Sequence, residues 1–335
     1  MTGLEMIKRK ALLIGIDNYP DPNKLNGCVA DVESLSKRLT RDGNGDPLFG
    51  IKKLEDIGSS DDAMESINQL FEGDADLALF YFSGHGFANP TGAELVFPED
   101  IAYGSRYHKG ITLSDICQIA NQSKIKNKII ILDCCHSGDV GKMEANAQES
   151  NLYPGITILT ACRGNEAAME SDGHGVFTQL LCKALDGEAA DICGNITPSS
   201  VYTYVDSLLG AWEQRPIFKT NVSSFVVLRK VEPRVQKAVL RKLPCYFRDA
   251  DSEYKLDPSY EFTNAHKYEE YYKLRQPLAT EEHVKIFQDL QKLQKIGLVE
   301  PVGEEYMYWA AIRSKSCKLT SIGRHYWQLA KKGEL

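Results

Sequence analysis

No apolar run in this 335-residue chain is long enough to cross a bilayer as a helix, which needs about 20 residues. The apolar opening "ALLIGI" is far shorter and runs straight into Asp17 without a small-residue cleavage site. Neither a membrane span nor a secretory leader is expected, and the reading is a cytoplasmic protein. There is no CxxC and no HxxxH pair, the spacings common among zinc ligands, so no metal site is expected. The nine cysteines are odd in number and irregularly spaced, which argues against a disulfide framework and for reduced thiols. Positive charge is scarce in one part of the chain. Lys and Arg number 39 against 46 Asp and Glu overall but 18 against 15 in 231–335, which leaves 21 against 31 in 1–230. An acidic front part argues against nucleic acid as its substrate and favours cationic peptides.

What is present alternates in kind. Short branched apolar runs at 10–16, 51–57, 77–82, 129–132 and 156–159 read as buried strands. Helical spacing falls between them, over 29–39, 62–71 with Ser60 or Asp61 as N-cap, 113–121 and 177–185. A last strand is expected at 224–228. Such alternation implies an α/β fold, a mainly parallel sheet with helices on both faces, whose ligands bind beyond the carboxyl ends of the strands. That is where "SGHG" (83–86) and "DCCHSG" (133–138) sit, each just past an apolar run. The polar, aperiodic stretch 139–151 reads as a mobile loop. Composition changes at "VEPRVQK", where Pro233 marks a boundary between a domain over 1–230 and a smaller one over 231–335. In the smaller domain a helix over 280–295 stops at Gly297. The stretch 297–312 then reads as two strands around a turn at Gly303, and "LTSIGRHYWQLAKKG" closes the chain.

A cysteine nucleophile needs a proton shuttle, because the thiolate attacks the carbonyl and the leaving amine must be protonated. His85, flanked by glycines, has the backbone freedom to project from a strand end, and the glycine amide that follows it could approach a developing oxyanion. Cys135 lies 50 positions further on, a separation that suits neighbouring parallel strands joined by one crossover. A lone cysteine after a strand is ordinarily a small buried hydrophobe. Strand residues alternate faces, so if one of Cys134 and Cys135 points into a cleft the other points into the core. For Cys134 the core is the reading. His108, His266, His283 and His325 read as structural.

The stretches "FYFSGHG" and "IILDCCHSG" resemble the histidine and cysteine motifs of the caspase-like clan of cysteine peptidases, and its bacterial metacaspase-like members in particular. Caspases show a similar His-to-Cys separation of about 50 residues. "ALLIGIDNY", "LNGCVADV", "TILTACRGNEAAMESDGHGVFTQLLCKALDG" and "ITPSSVYTYVDSLL" carry the resemblance across most of 9–228. It implies a caspase-like sheet, Cys135 as nucleophile, His85 as general acid and base, and the amides of Gly86 and Cys135 as an oxyanion hole. It also implies a primary pocket made by Cys28, Asp31, Ser83 and Asp133 that accepts arginine or lysine before the cleaved bond. The bland alternative is that Asp31 caps a helix and Asp133 merely holds backbone. His136 is read as positional. Calcium-dependent relatives carry clustered acidic residues after the histidine motif, whereas only Glu94, Glu99 and Asp100 stand here, so no calcium requirement and no cofactor are expected. Lys142 is the one basic residue of the polar loop and a candidate for self-cleavage.

The region 280–333 resembles a winged helix through "GLV" and "LTSIGR". DNA binding is the obvious reading of such a module, but Glu281, Glu282, Glu304 and Glu305 stand where phosphates would have to approach. A small α+β domain that docks a regulatory protein is expected instead, with Tyr268, Tyr271, Tyr272, Tyr306, Tyr308 and Trp309 as anchors or as its core. The expected function is a cysteine endopeptidase cutting after Arg or Lys in regulated proteolysis, cell death or defence. The alternatives are a catalytically idle scaffold and a winged-helix DNA-binding regulator.

Overall fold

The computed structural model describes residues 9–89, 92–101, 110–134, 152–161, 170–171, 173–209 and 215–335. The chain divides into two compact units, 1–232 and 233–335. The first opens with β1 (Arg9–Gly15), α1 (Cys28–Thr40), β2 (Gly50–Glu55), α2 (Ser60–Phe71) and β3 (Leu77–Ser83). A small antiparallel sheet follows, made of β4 (Gly86–Asn89), β5 (Gly92–Leu95) and β6 (Ile111–Thr112). Next come α3 (Leu113–Gln122), β7 (Asn127–Asp133) and β8 (Ile156–Thr160). The antiparallel pair β9 (Glu170–Ser171) and β10 (His174–Gly175) leads into α4 (Val176–Lys183). Then follow β11 (Asn195–Ile196), α5 (Pro198–Leu208), β12 (Ile217–Asn221) and β13 (Arg229–Lys230).

The main sheet has the order β12-β8-β7-β3-β1-β2, parallel throughout except for β12. The interior strands β1, β3 and β7 carry continuous apolar runs, 11–14, 77–82 and 129–132, because both faces are covered. Alternation sorts their side chains into two cores. Leu12, Ile14, Phe80, Phe82, Ile130 and Leu132 pack with Ile67 of α2 and Ile116 of α3. Ala11, Leu13, Leu79, Tyr81, Ile129 and Ile131 pack on the other face with Val32 and Leu35 of α1, Phe177 of α4 and Val201 of α5. Each such Leu, Ile or Phe contributes about 1.5–3 kcal/mol relative to exposure. The register aligns Gly15 with Ser83 and Ser83 with Asp133, so three neighbouring strands end level. From β1 the chain steps to one side for β2 and returns to the other side for β3. That reversal opens a crevice beyond the strand ends, where such sheets take their ligands.

Several expectations are corrected. Residues 51–57 do not form a buried strand; β2 is an edge strand whose residues are largely exposed. The N-cap of α2 is Ser59, whose side chain accepts from the Asp61 amide, rather than Ser60 or Asp61. Residues 224–228 are not a strand. The sheet is closed instead by β12, an edge strand that is only partly buried, so its sequence lacks a continuous apolar run. Leu228 still reaches the core, with its chain held by Arg9 Nη1 on the carbonyls of Val227 and Leu228.

In the second unit α6 (Lys237–Leu240) and α7 (Leu243–Tyr246) precede β14 (Glu253–Lys255). Next come α8 (Glu281–Lys295), β15 (Val299–Val302), α9 (Met307–Ile312), β16 (Ser316–Leu319) and α10 (Ser321–Lys332). Its sheet has the order β14-β16-β15. Phe287, Leu290, Leu293, Leu298, Met307, Ala310 and Trp327 are buried, and Trp327 donates its indole N–H to the Phe247 carbonyl at 2.9 Å. The expected pair of strands over 297–312 is corrected here as well. Only the first arm is a strand, because burial of Met307, Ala310 and Ala311 follows helical spacing and makes the second arm α9. Among the described residues no helix is long and apolar enough to cross a membrane.

Candidate active site

The crevice is built first by the loop that leaves β1. Ile16 donates its amide to the Ser83 carbonyl and prolongs the pairing of β1 with β3. Asp17 then accepts from the amides of Cys28 (2.8 Å) and Val29 (3.3 Å), where its charge meets the positive end of α1. Asp56 in turn holds the amides of Asp17 and Asn18 at 2.8 and 2.9 Å. Pinned at both ends, the loop buries Tyr19 beneath the strand ends.

Tyr19 acts as a wedge. Its hydroxyl accepts from the His85 amide and donates to the Val96 carbonyl, both at 2.9 Å, while Val96 returns its amide to the His85 carbonyl at 3.1 Å. The hydroxyl therefore replaces one rung of the antiparallel pairing that continues as β4 and β5. Hydrogen bonding alternates along such a pair, so the next residue, Gly86, turns its N–H away from β5. The Tyr19 ring meets the His85 ring edge-on, with centroids 4.4 Å apart. A side chain at Gly84 would put Cβ 2.6 Å from the Tyr19 hydroxyl, which requires glycine there. His85 Nε2 lies 2.7 Å from the Asn23 carbonyl. A carbonyl can only accept, so Nε2 carries the proton and Nδ1 is left as the basic nitrogen of the neutral ring.

Beside this histidine lies a buried acidic pocket. Cys28, Asp31, Ser83 and Asp133 are all buried, Asp31 being 1% and Asp133 5% exposed. Ser83 and Asp133 occupy level positions on adjacent strands and share the face of Tyr81 and Ile131, so both turn toward α1 and α4. Asp31 Oδ2 accepts from the Gly175 amide at 3.0 Å and from Ser83 Oγ at 3.4 Å, and Oδ1 meets His174 Nδ1 at 2.9 Å. Asp133 Oδ2 accepts from Thr178 Oγ1 at 2.6 Å. That leaves Thr178 Oγ1 as acceptor for the Tyr81 hydroxyl, 2.6 Å away. A Cβ at Gly175 would overlap Asp133 Oδ2 and stand 3.0 Å from Asp31 Oδ2, so only a glycine fits between the two carboxylates. Burial, reinforced by the charge of Asp133, raises the Asp31 carboxyl to about 8, and burial also keeps the Cys28 thiol protonated.

The structure thus brings together His85, Gly86, Cys28, Asp31, Ser83 and Asp133. Cys135 and Lys142 lie outside the described residues, as do His108, His136 and the loop 139–151. Cys134 is buried in the core shared with Phe82 and Leu132. Asp31 does not cap α1: the N-cap is Gly27 without a side-chain bond, and the carboxylate at that helix end is Asp17. Sequence reasoning missed Tyr19, the Asn23 carbonyl, Thr178 and His174. One signal for His174 was visible, since "GHG" at 173–175 repeats the triplet at 84–86. Among the described residues no three His, Cys, Asp or Glu side chains converge as a metal site would need.

A family model described as the caspase domain matches residues 8–249. Metacaspase-9 of Arabidopsis thaliana is 29% identical over 227 residues, covering 61% of this chain and 63% of that protein. Metacaspase-8 of the same plant is 30% identical over 170 residues, 44% of this chain and 42% of the relative. Metacaspase-1 of Ajellomyces capsulatus (strain NAm1 / WU24) is 25% identical over 219 residues, 55% and 58% of the two chains. The chain therefore spans between 42% and 63% of the length of these relatives. Among solved structures, protein GSU0716 from Geobacter sulfurreducens superposes with a TM-score of 0.48 at 16% identity, covering 68% of this chain and 98% of that one.

Two measurements test this geometry. Tyr19→Phe leaves the His85 N–H and the Val96 carbonyl without the hydroxyl between them, and urea unfolding should show a loss of about 2–4 kcal/mol; a loss below about 0.5 kcal/mol would mean that the strands close on themselves. The folded chain holds the Asp31 proton up to about pH 8, whereas the unfolded chain releases it near pH 4. Folding therefore binds a proton between those values, stability falls as pH rises through that window, and the full penalty is present above it. Asp31→Asn should melt about 3 °C or more above the parent at pH 9 and level with it near pH 4. A variant less stable than the parent at pH 9 would contradict the assignment.

Proposed function

The chain belongs to the caspase-domain family, and on that premise we propose that it is a cysteine endopeptidase that cuts after arginine or lysine. The observation that carries the specificity is the pair of buried carboxylates, Asp31 and Asp133, beside the fixed histidine. A guanidinium or ammonium entering that pocket forms charge-assisted hydrogen bonds, while a neutral or acidic side chain leaves the carboxylates uncompensated. In this reading His85 Nδ1 takes the proton of Cys135, and the thiolate attacks the carbonyl carbon of the residue held in the pocket. The oxyanion is received by the amides of Gly86 and Cys135. The imidazolium keeps its Nε2–H on the Asn23 carbonyl and gives the Nδ1 proton to the leaving amine. A water deprotonated by the same nitrogen then releases the acyl group from sulfur.

The second unit is read as a winged-helix-like module for docking a regulatory protein. Support comes from its exposed aromatic side chains, Tyr271, Tyr272, Tyr306 and Trp309, and from Glu281 and Glu282 in the first turn of α8, which oppose phosphate. Cleavage after Lys142 would open the loop that follows Cys135 and mature the enzyme.

Release of a fluorophore from peptides ending in Arg, Lys, Asp or Leu tests the reading directly. Arg and Lys peptides alone should turn over, and Cys135→Ala should lower kcat by about a thousandfold or more. Preference for Asp, or undiminished turnover by the variant, would overturn it. Mass spectrometry of an active preparation should find chains ending at Lys142; full activity from an intact chain would remove self-cleavage from the scheme.

A further inference from the structure

His174 is not used by the chemistry above, yet it is tied to the pocket's deepest charge. It lies on β10, flanked by Gly173 and Gly175, and its backbone packs against the start of α1, where a Cβ at Gly27 would stand 3.1 Å from the His174 Cα. Its side chain is one-third exposed, whereas Asp31 is almost fully covered. The ring lines a groove of about 220 Å³ between α1 and α4, together with Asp31, Arg38, Thr178 and Lys183. From that groove Nδ1 reaches Asp31 Oδ1 at 2.9 Å, while Oδ2 is taken by the Gly175 amide and Ser83.

An ionised carboxylate accepts only, so when Asp31 is charged His174 Nδ1 is the donor. We propose that His174 is the positioning residue that orients Asp31 and eases its ionisation as the basic side chain of the substrate enters. The inference rests on the proposed specificity for Arg and Lys. A hydrogen bond donated to a carboxylate favours its charged form, and this one works against burial and against the neighbouring Asp133. Even with that bond in place burial raises the Asp31 carboxyl to about 8, and without it the carboxylate keeps two donors and ionises at still higher pH. At neutral pH the carboxyl would then give up its proton less readily as a cation enters.

The charged groups around the ring leave this role to His174. On α1, Arg38 is committed to Asp186, with Nη2 at 2.7 Å from Oδ2. On α4, the Cys182 thiol is pushed up to about 12 by burial and stays neutral, and Lys183 stands in the same groove. Asp17 and Asp133 face Asp31 and oppose its ionisation. Those last two make an added donor consequential.

The test compares His174→Ala and His174→Asn with the parent full-length chain, using an Arg-terminated peptide whose guanidinium stays charged throughout the pH range. At pH 7 His174→Ala should raise KM about tenfold with kcat within about twofold, and the gap should close to about twofold by pH 9.5, where Asp31 ionises without help. His174→Asn, whose amide can occupy the place of Nδ1–H, should restore most of the affinity. A KM deficit that does not change with pH, an Asn variant no better than Ala, or a loss in kcat alone would overturn the assignment. Thermal melting separates this failure from failure of the peptidase reading, because it needs no turnover. Asp31→Asn should cancel most of the melting-temperature loss caused by His174→Ala at pH 8, and an equal loss in both backgrounds would sever the link between the two residues. If the parent cleaves no Arg peptide, the specificity reading falls, and the melting comparison still decides whether His174 acts on Asp31.

Discussion

Two carboxylates, Asp31 and Asp133, are kept out of water side by side at the end of a parallel sheet, and the arrangement around them follows from that. Burying one charge is costly, and burying two of like sign multiplies the cost unless each oxygen finds a donor. The donors come from three separate elements. Ser83 ends β3, Gly175 ends β10, Thr178 opens α4 and relays the Tyr81 hydroxyl of β3, and His174 reaches Asp31 from the far side. No helix or strand could supply such a set alone. The pocket exists because the sheet register brings Ser83 level with Asp133 and because α1 and α4 lie on the face to which both side chains turn.

The same alternation that aims Ser83 and Asp133 at α1 and α4 sends Phe82, Leu132 and Cys134 to the opposite core. One residue of register therefore separates a buried carboxylate cluster from a dry apolar interior, and a slip by one position would exchange them. Tyr19 guards the transition. By taking the place of a backbone rung between His85 and Val96, it ends the pairing of the small antiparallel sheet at the position where the histidine must leave it. The imidazole is then held by the Asn23 carbonyl at one nitrogen and by the edge of the tyrosine ring, so its tautomer and its orientation have separate causes.

Much of this was legible in the linear chain. Continuous branched apolar runs marked β1, β3, β7 and β8, because strands covered on both faces have no polar alternation to disguise them. His85 stood out because it follows such a run between two glycines, whereas Asp31 and Asp133 were indicated only by the resemblance of their motifs to the caspase-like clan. Misreadings occurred where an element answers to one neighbour only. The edge strands β2 and β12 carry weak patterns, and α9 is too short for its period to show against the aromatic run around it.

The sequence by itself determined the layered fold, since hydrophobic period is a property of neighbouring residues, and it pointed to the acidic residues only through resemblance to a known family. Tertiary structure alone decided what surrounds those residues. Tyr19 meets His85 across 66 positions and His174 meets Asp31 across 143, contacts that no local pattern encodes. They arise because a parallel sheet delivers the ends of distant strands to one level, where buried polar groups must find partners wherever the fold places them.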